Sequence, residues 1–534
     1  MTLATVIVNN YRKPLVCLAM VSLLAIASLA PGQASLPKGF THRGFYLHTG
    51  WSYKHPFAVR SWQRKDFAGM FRLLKAMEYD TVMIWPMLES IPMPLTAADA
   101  AAVREFRAVI DDAHASGLKC WLTFTANLTT VPEIAAKPWA ARNPYPAFRT
   151  IHYDRAEEAQ SYREHRTALI RILNNADGYV TIDGDPGGYA GAKPEDFIAV
   201  FQSDRKAIDQ FGVDPPNQAV IPWIWAGWGT KGVWAEPIEP FVKATLQRLR
   251  SEMPEPWQLL PARSIRDGHA NGRINIRLTE QLGLLDRSTL LCYETIEFEP
   301  SPPSGLLQFD EIQRILAEEA KFAGVCRGVF GNAQTPITVL PSLYYFGRGA
   351  ADFAYLKTPH GKVLEDFAEL LGGPPELLVP AWSCLQRELE ELPADLPERL
   401  RRVTLTSNLA NSIPGGSQKY VEILAAQVDV RRRVLMAIQT PPTSAVDAAA
   451  KLAAATTAIV DWWNLSGFIG GSENEPFNWA YIHGQIKKPL FDWRQRHVTN
   501  VDEVKPILLE QLIKHGTLGG EVARTVVEQL MTNR

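Results

Sequence analysis

Residues 177–191 read DGYVTIDGDPGGYAG. Tyr179 to Ile182 form an apolar, β-branched run, as a buried strand requires, and Asp183-Gly184-Asp185-Pro186-Gly187-Gly188 turns the chain away at its end. A glycine-rich turn after a buried strand is where a doubly wound sheet seats a nucleotide phosphate. Here two aspartates occupy the turn, and they would repel one. The open sheet thereby loses its functional argument, and the competing parallel architecture, a barrel, is favoured.

Working outward from this strand, apolar runs alternate with amphipathic segments from residue 43 to about 355. Strands are expected at Gly44–His48, Thr81–Pro86, Lys119–Ala126, Gly178–Asp183, Ala219–Ala226, Trp257–Pro261, Thr289–Glu297 and Cys326–Asn332. Between the first two, Phe67, Met70, Phe71, Leu74 and Met77 recur at helical spacing on one face, with Ser61 as the expected N-cap. Phe309, Ile312, Ile315, Leu316 and Ala323 make the matching stripe before the last strand, and Gly117 and Gly324 stand where helices should stop. Eight βα repeats in this length have the size and rhythm of a (β/α)8 TIM barrel in the α/β class.

Beyond Tyr355 the strand pattern ends. Lys362–Leu371, Ala381–Leu392, Gln418–Gln439 and Ala445–Trp463 read as helices, with breaks at Pro374-Pro375 and Pro441-Pro442. The expected organisation is a signal peptide over 1–34, the barrel over 35–355 and a mostly α-helical region over 356–534.

The amino terminus reads as a secretory signal. Arg12 and Lys13 precede an apolar run from Leu15 to Ala30, and Pro31-Gly32-Gln33-Ala34 offers a small-residue cleavage site. An uncleaved anchor is the alternative, but the run is short for a spanning helix. Secretion or a periplasmic location is the expectation, with no membrane association after cleavage.

Cleavage removes two basic residues and no acid, so 55 basic residues fall to 53 against 57 acids, a net charge of −4. No basic stripe appears, which excludes nucleic acid as an expected partner. Cys120, Cys292, Cys326 and Cys384 show no metal-ligand spacing and no disulfide framework. No metal and no organic cofactor is expected. The 15 tryptophans are the informative excess, because a flat indole matches the C–H face of a sugar while its N–H hydrogen-bonds.

A TIM barrel carries its site at the C-terminal ends of its strands. His48 ends the first strand candidate, with Trp51 after it, and Trp85 and Glu89 lie at the end of the second. Asn127 follows the third, and Asp183 and Asp185 end the fourth. Trp223, Trp225 and Trp228 end the fifth, Glu294 and Glu297 lie on the seventh, and Asn332 ends the eighth. Asp183 and Asp185, two apart on an extended strand, point the same way. Like charges side by side raise one pKa and leave the other ionised, as an acid working beside a base requires. Glu294 stands in an apolar strand, where burying an acid is costly unless it is used or paired. Glu297 and Glu299 are expected as solvated loop acids, with Glu297 in reserve. Trp223 and Trp225 share parity and are expected, with equal weight, either to face the barrel mouth or to pack in the core, and Trp228, between Gly227 and Gly229, is expected as an exposed sugar platform.

Arg43-Gly44-Phe45-Tyr46 opening the barrel, Asp177-Gly178-Tyr179 entering the fourth strand and acids at its end resemble the chitinase and β-hexosaminidase type of glycoside hydrolase barrel. The resemblance covers residues 43 to about 355. The chitinase signature D-G-x-D-x-D-x-E is met only in part: Asp177 and Gly178 match and Asp183 is suggestive, whereas Thr181 is not acidic and Gly184-Asp185 stand where the final glutamate is expected. That departure speaks against N-acetyl-assisted catalysis. The Asn-Glu pair of many retaining barrel glycosidases is absent from the fourth strand. The resemblance implies hydrolysis of an oligo- or polysaccharide; from the residues themselves, Asp185 is expected as the acid, Asp183 as its orienting or charge-tuning partner and Glu294 as nucleophile or base. A non-catalytic carbohydrate-binding barrel and a polysaccharide lyase are the alternative functions.

Overall fold

The computed structural model describes residues 37–49, 53–125, 128–138, 142, 148–182, 193–224, 238–264, 271–297, 305–386, 392–466, 487–516 and 518–532. Residues Lys38–Arg534 form one compact unit. Its centre is a closed parallel barrel of eight strands: β1 (His42–His48), β2 (Thr81–Trp85), β3 (Lys119–Thr125), β6 (Gly178–Ile182), β7 (Ala219–Ile224), β8 (Leu260–Ser264), β9 (Thr289–Tyr293) and β10 (Gly328–Ala333). β10 closes on β1, with Tyr46 opposite Asn332, while Tyr46 faces Met83 of β2 on the other side. Two short strands after β3, β4 (Leu128–Thr130) and β5 (Phe148–Thr150), pair as an antiparallel hairpin that the sequence pattern does not reveal. Each is only three residues long, too short to show a period.

Two strands depart from expectation by more than two residues at an end. The sixth barrel strand is shifted from Trp257–Pro261 to Leu260–Ser264, and Trp257 makes only an isolated bridge to Val220. Arg263 hid it: a strand facing a helix normally reads as apolar, but Arg263 pairs with Glu318 and Glu319 of α8 (Phe309–Glu319). The seventh ends at Tyr293 and not at Glu297, because Glu294 has φ 60°, left-handed backbone that cannot continue a strand.

In α1 (Arg64–Ala76) the expected stripe Phe67, Met70, Phe71 and Leu74 is buried. Its N-cap is Gln63, in a capping box with Asp66, and not Ser61, whose hydroxyl donates to the Ala58 carbonyl at 2.6 Å. Gly117, φ 74°, follows the end of α2 (Ala97–Ala115), as expected of a helix stop. The remaining barrel helices are α4 (Ala156–Ile172), α5 (Pro194–Phe211), α6 (Ile238–Glu252), α7 (Asn271–Gln281) and α9 (Leu340–Ala351), with a single turn, α3 (Pro132–Ala135), after β4.

The chain after the barrel is helical: α10 (His360–Leu371), α11 (Pro375–Ser383), α12 (Leu396–Arg401), α13 (Ser417–Ile438), α14 (Ala445–Ser466), α15 (Lys487–His497), α16 (Val501–Lys514) and α17 (Gly520–Met531). The helix expected over Ala381–Leu392 instead starts at Pro375 and stops at Ser383. Pro375 does not break it but opens it, since a first-turn residue needs no N–H donor. None of the described helices is long and apolar enough to cross a membrane.

These helices are tied to the barrel. The Gly415 N–H donates to Asp66 Oδ1 at 3.0 Å, Gln427 Nε2 to the Thr338 carbonyl at 3.3 Å and the Leu307 N–H to the Leu385 carbonyl at 2.9 Å. Gly69 of α1 lies so close that a Cβ there would stand 2.2 Å from the Ser412 carbonyl oxygen. A chain ending at Tyr355 should therefore expose the face that these helices cover and aggregate. Size-exclusion chromatography of that truncation checks this, and a monodisperse, folded barrel would refute the packing argument.

Candidate active site

Alternation along each strand sends every second side chain into the barrel. Tyr46, Trp85, Trp223 and Tyr293 belong to one interior cluster with Met83, Trp121 and Phe330. The Trp223 ring stands edge-on to Tyr46, centroids 5.2 Å apart, and the His48 ring lies 4.9 Å from Trp85. Trp85 and Trp223 are both essentially inaccessible. Of the two fates open to Trp223, core packing is the one seen, and both indoles form the floor beneath the strand ends.

The Glu89 side chain is buried at the end of β2, with 1% exposed. Met87, φ 56°, turns the chain sharply out of the strand, and Glu89 sits in the short helical turn Leu88–Ser90 that follows. Its carboxylate accepts the Thr125 N–H at the tip of β3 and faces the Trp85 indole N–H at 3.4 Å. Burial raises its pKa above the ordinary value, opposed by the Thr125 N–H and the Arg166 charge.

Thr125 is a junction. Its carbonyl accepts from Arg166 Nη1 at 2.8 Å and from the Tyr162 hydroxyl. Arg166 is fully buried, donates to Thr181 Oγ1 of β6 at 2.6 Å, and is gripped by both oxygens of the equally buried Asp204. One guanidinium thus ties the ends of β3 and β6 together, just before the positions of Asn127 and Asp183.

On the opposite side, Glu294 occupies the left-handed turn after β9, 1% exposed. Its N–H donates to Asn332 Oδ1 at 2.7 Å, and its carbonyl accepts from Gln308 Nε2 at 3.2 Å. Glu294 and Asn332, both expected at the strand ends, thus meet through the Glu294 backbone. Among the described residues, the Asn332 amide nitrogen, the Thr295 hydroxyl and the Gln334 side-chain oxygen are buried there without a hydrogen-bond partner.

Glu297 corrects the expectation of a solvated loop acid, for it is 2% exposed. Its carboxylate accepts the N–H groups of Gln334, at 2.5 Å, and Thr335, at 2.7 Å, together with the Thr335 hydroxyl. Those three donors favour the charged form, but burial outweighs them and pushes the pKa up to about 7. Glu297 fastens the loop after β10 to the loop after β9.

Burial drives the His48 pKa down to about 3, so its imidazole is neutral at ordinary pH. A folded-state pKa below the unfolded 6.5 means that the unfolded chain takes up the proton first. The stability contribution is present above pH 6.5 and is lost as pH falls towards 3. Wild-type stability minus that of His48→Gln should accordingly drop by a few kcal/mol between pH 6.5 and 3, read from urea midpoints. A flat difference would show that His48 protonates freely in the fold.

Trp51, Asn127, Asp183, Asp185, Trp225 and Trp228 lie outside the described residues, as does Glu299. Among the described residues, the strand ends bring His48, Trp85 and Glu89 together on one side, and Glu294, Glu297 and Asn332 on another. Sequence reasoning missed Tyr46, Tyr293, Gln334 and Arg166. Gln334 shares strand parity with Asn332 and was open to the same argument. Arg166 has no such signal, since an arginine on an amphipathic helix normally reads as solvated.

No family model matches the chain, and no curated protein matches it. Among solved structures, an O-GlcNAc hydrolase mutant of Thermobaculum terrenum is 12% identical with a TM-score of 0.43, covering 92% of this chain and 94% of its own. A glycoside hydrolase family 5 enzyme of Prevotella bryantii is 10% identical with a TM-score of 0.39, covering 60% and 100%. A family 20 β-N-acetylglucosaminidase is 10% identical with a TM-score of 0.37, covering 65% and 74%. The barrel assignment rests on this chain's own strand pairing.

Proposed function

We propose that the protein is a glycoside hydrolase acting on an oligo- or polysaccharide at the C-terminal mouth of its barrel. The observation that carries this reading is a rim holding three buried glutamates, Glu89, Glu294 and Glu297, over an aromatic floor. Buried acids are costly and concentrate where chemistry uses them. Glycosidic hydrolysis needs a carboxyl group that holds its proton near neutral pH and a second that does not. Asp185 is the acid that protonates the leaving oxygen, and Asp183, directly after the last residue of β6, tunes its charge. Glu294 attacks the anomeric carbon or activates a water to do so. Glu89 and Glu297 are the reserve acids, Trp85 and Trp223 support the site from the floor, and His48, Trp51, Asn127, Trp225, Trp228 and Asn332 complete the substrate side. The separation of the two working carboxyls sets retention or inversion.

The test is hydrolysis of a panel of aryl glycosides and of plant and bacterial polysaccharides by the purified protein. Release of aglycone or reducing sugar is expected. Failure across the panel, with the protein folded, would sink the reading.

The same proposal includes export, with cleavage near Ala34 and release as a soluble protein. Amino-terminal sequencing of material from the periplasm or medium should begin just after Ala34. A membrane-bound product that still begins at Met1 would establish the anchor instead.

A further inference from the structure

At the end of β10, Asn332 lies on the face that Phe330 presents to the barrel interior, and Gln334, just past the strand's last residue, reaches Tyr293 of the same interior cluster. Both are fully buried. The Glu294 N–H on Asn332 Oδ1 fixes which way that amide lies, since only the oxygen can accept it, and leaves Nδ2 without a partner. Gln334 Nε2 meets the Tyr293 phenol oxygen at 3.3 Å, leaving Oε1 likewise without one. The backbone is held as firmly. Glu297 takes the N–H groups of Gln334 and Thr335, and Gln308 holds the Glu294 carbonyl.

A buried donor or acceptor left unmade costs free energy that folding does not return, so native proteins rarely tolerate one without a use. Here, among the described residues, a buried donor and a buried acceptor are left unpaired two residues apart at and just past the end of β10, and the first sits on the residue that holds the Glu294 N–H. We infer that Asn332 Nδ2 and Gln334 Oε1 form a sugar subsite: the amide N–H donates to one ring hydroxyl oxygen, and the amide oxygen accepts from a neighbouring hydroxyl. Tyr293 orients Gln334, and Glu294 orients Asn332. This rests on the glycosidase reading for its ligand class, but it concerns binding and not bond cleavage.

The test therefore reads binding. Tryptophan fluorescence, reported by Trp85 and Trp223 in the floor below, is titrated with the methyl glycosides of glucose, galactose, mannose and N-acetylglucosamine. The best binder is then compared with its 2-, 3-, 4- and 6-deoxy forms. Gln334→Met keeps the side chain's volume and removes the acceptor, and Asn332→Asp keeps the acceptor for the Glu294 N–H and removes the donor. Each should weaken binding at least tenfold, and two neighbouring deoxy positions should weaken wild-type binding similarly. Because Gln334→Met removes a buried unpaired group, its thermal midpoint should hold or rise. If Asn332→Asp fails to fold beside Glu294, Gln334→Met alone decides. Unchanged affinity in folded Gln334→Met overturns the subsite, as does a wild-type protein that binds none of the four sugars. Sugar binding without any hydrolysis overturns the glycosidase reading and leaves the subsite standing.

Discussion

Asp185→Asn and Glu294→Gln should each lower turnover of the best substrate by about 10²–10⁴-fold, the usual contribution of general acid–base catalysis, while the fold survives. Each exchange is nearly isosteric and removes only the ability to give, take or share a proton. Glu294 is held at its backbone by Asn332 and Gln308, and neither bond involves the carboxyl group, so Glu294→Gln preserves the turn. The two variants should differ in kind. Losing the acid should hurt substrates with poor leaving groups most, because an activated aryl glycoside hardly needs protonation. Losing the nucleophile or base should slow good and poor leaving groups alike. Asp183→Asn should shift the pH optimum, since two neighbouring carboxyls titrate as a pair. Wild-type activity in both Asp185→Asn and Glu294→Gln would move the site to Glu89 and Glu297.

The largest effect on stability should come from Arg166→Met. Asp204 is buried and, among the described residues, takes its hydrogen bonds from Arg166 alone, so the change strands a carboxylate in the interior. Removing one partner of a buried ion pair typically costs about 3–5 kcal/mol. Urea denaturation should show a loss of that order. The double replacement Arg166→Met with Asp204→Leu should recover much of it, because no charge is then left unpaired. A small loss in Arg166→Met, with no recovery in the double variant, would show that water reaches Asp204. Arg166 also favours the charged form of Glu89, so the Glu89 pKa should rise further in the variant.

The barrel was legible because its signal is local. Apolar runs of strand length alternate with helical stripes such as Phe67, Met70, Phe71 and Leu74, and that period survives in any tertiary setting. Strand boundaries were less so. Arg263 broke the apolar pattern of β8 although it is satisfied by Glu318 and Glu319 from α8, a partnership more than fifty residues away. In the site, position at the strand ends singled out His48, Trp85 and Asn332, and the structure buries all three there, Trp85 within the interior cluster. The same reasoning placed Trp223 evenly between floor and platform, because a period of two says which face a ring takes and not how deep it lies.

By itself, then, the sequence determined the class and order of the elements, the eight-strand count and the strand ends where polar residues gather. These follow from spacing along the chain. Tertiary structure alone decided which of those residues are buried and what holds them. Glu297 reads as a loop acid until the β10 end folds over it with two backbone N–H groups and a hydroxyl. Arg166 reads as a surface residue until Asp204, Thr125 and Thr181 close around it. The reason is physical: burial and hydrogen-bond pairing arise between segments distant in sequence, and an ionisable group's charge state depends on that surrounding more than on its neighbours along the chain.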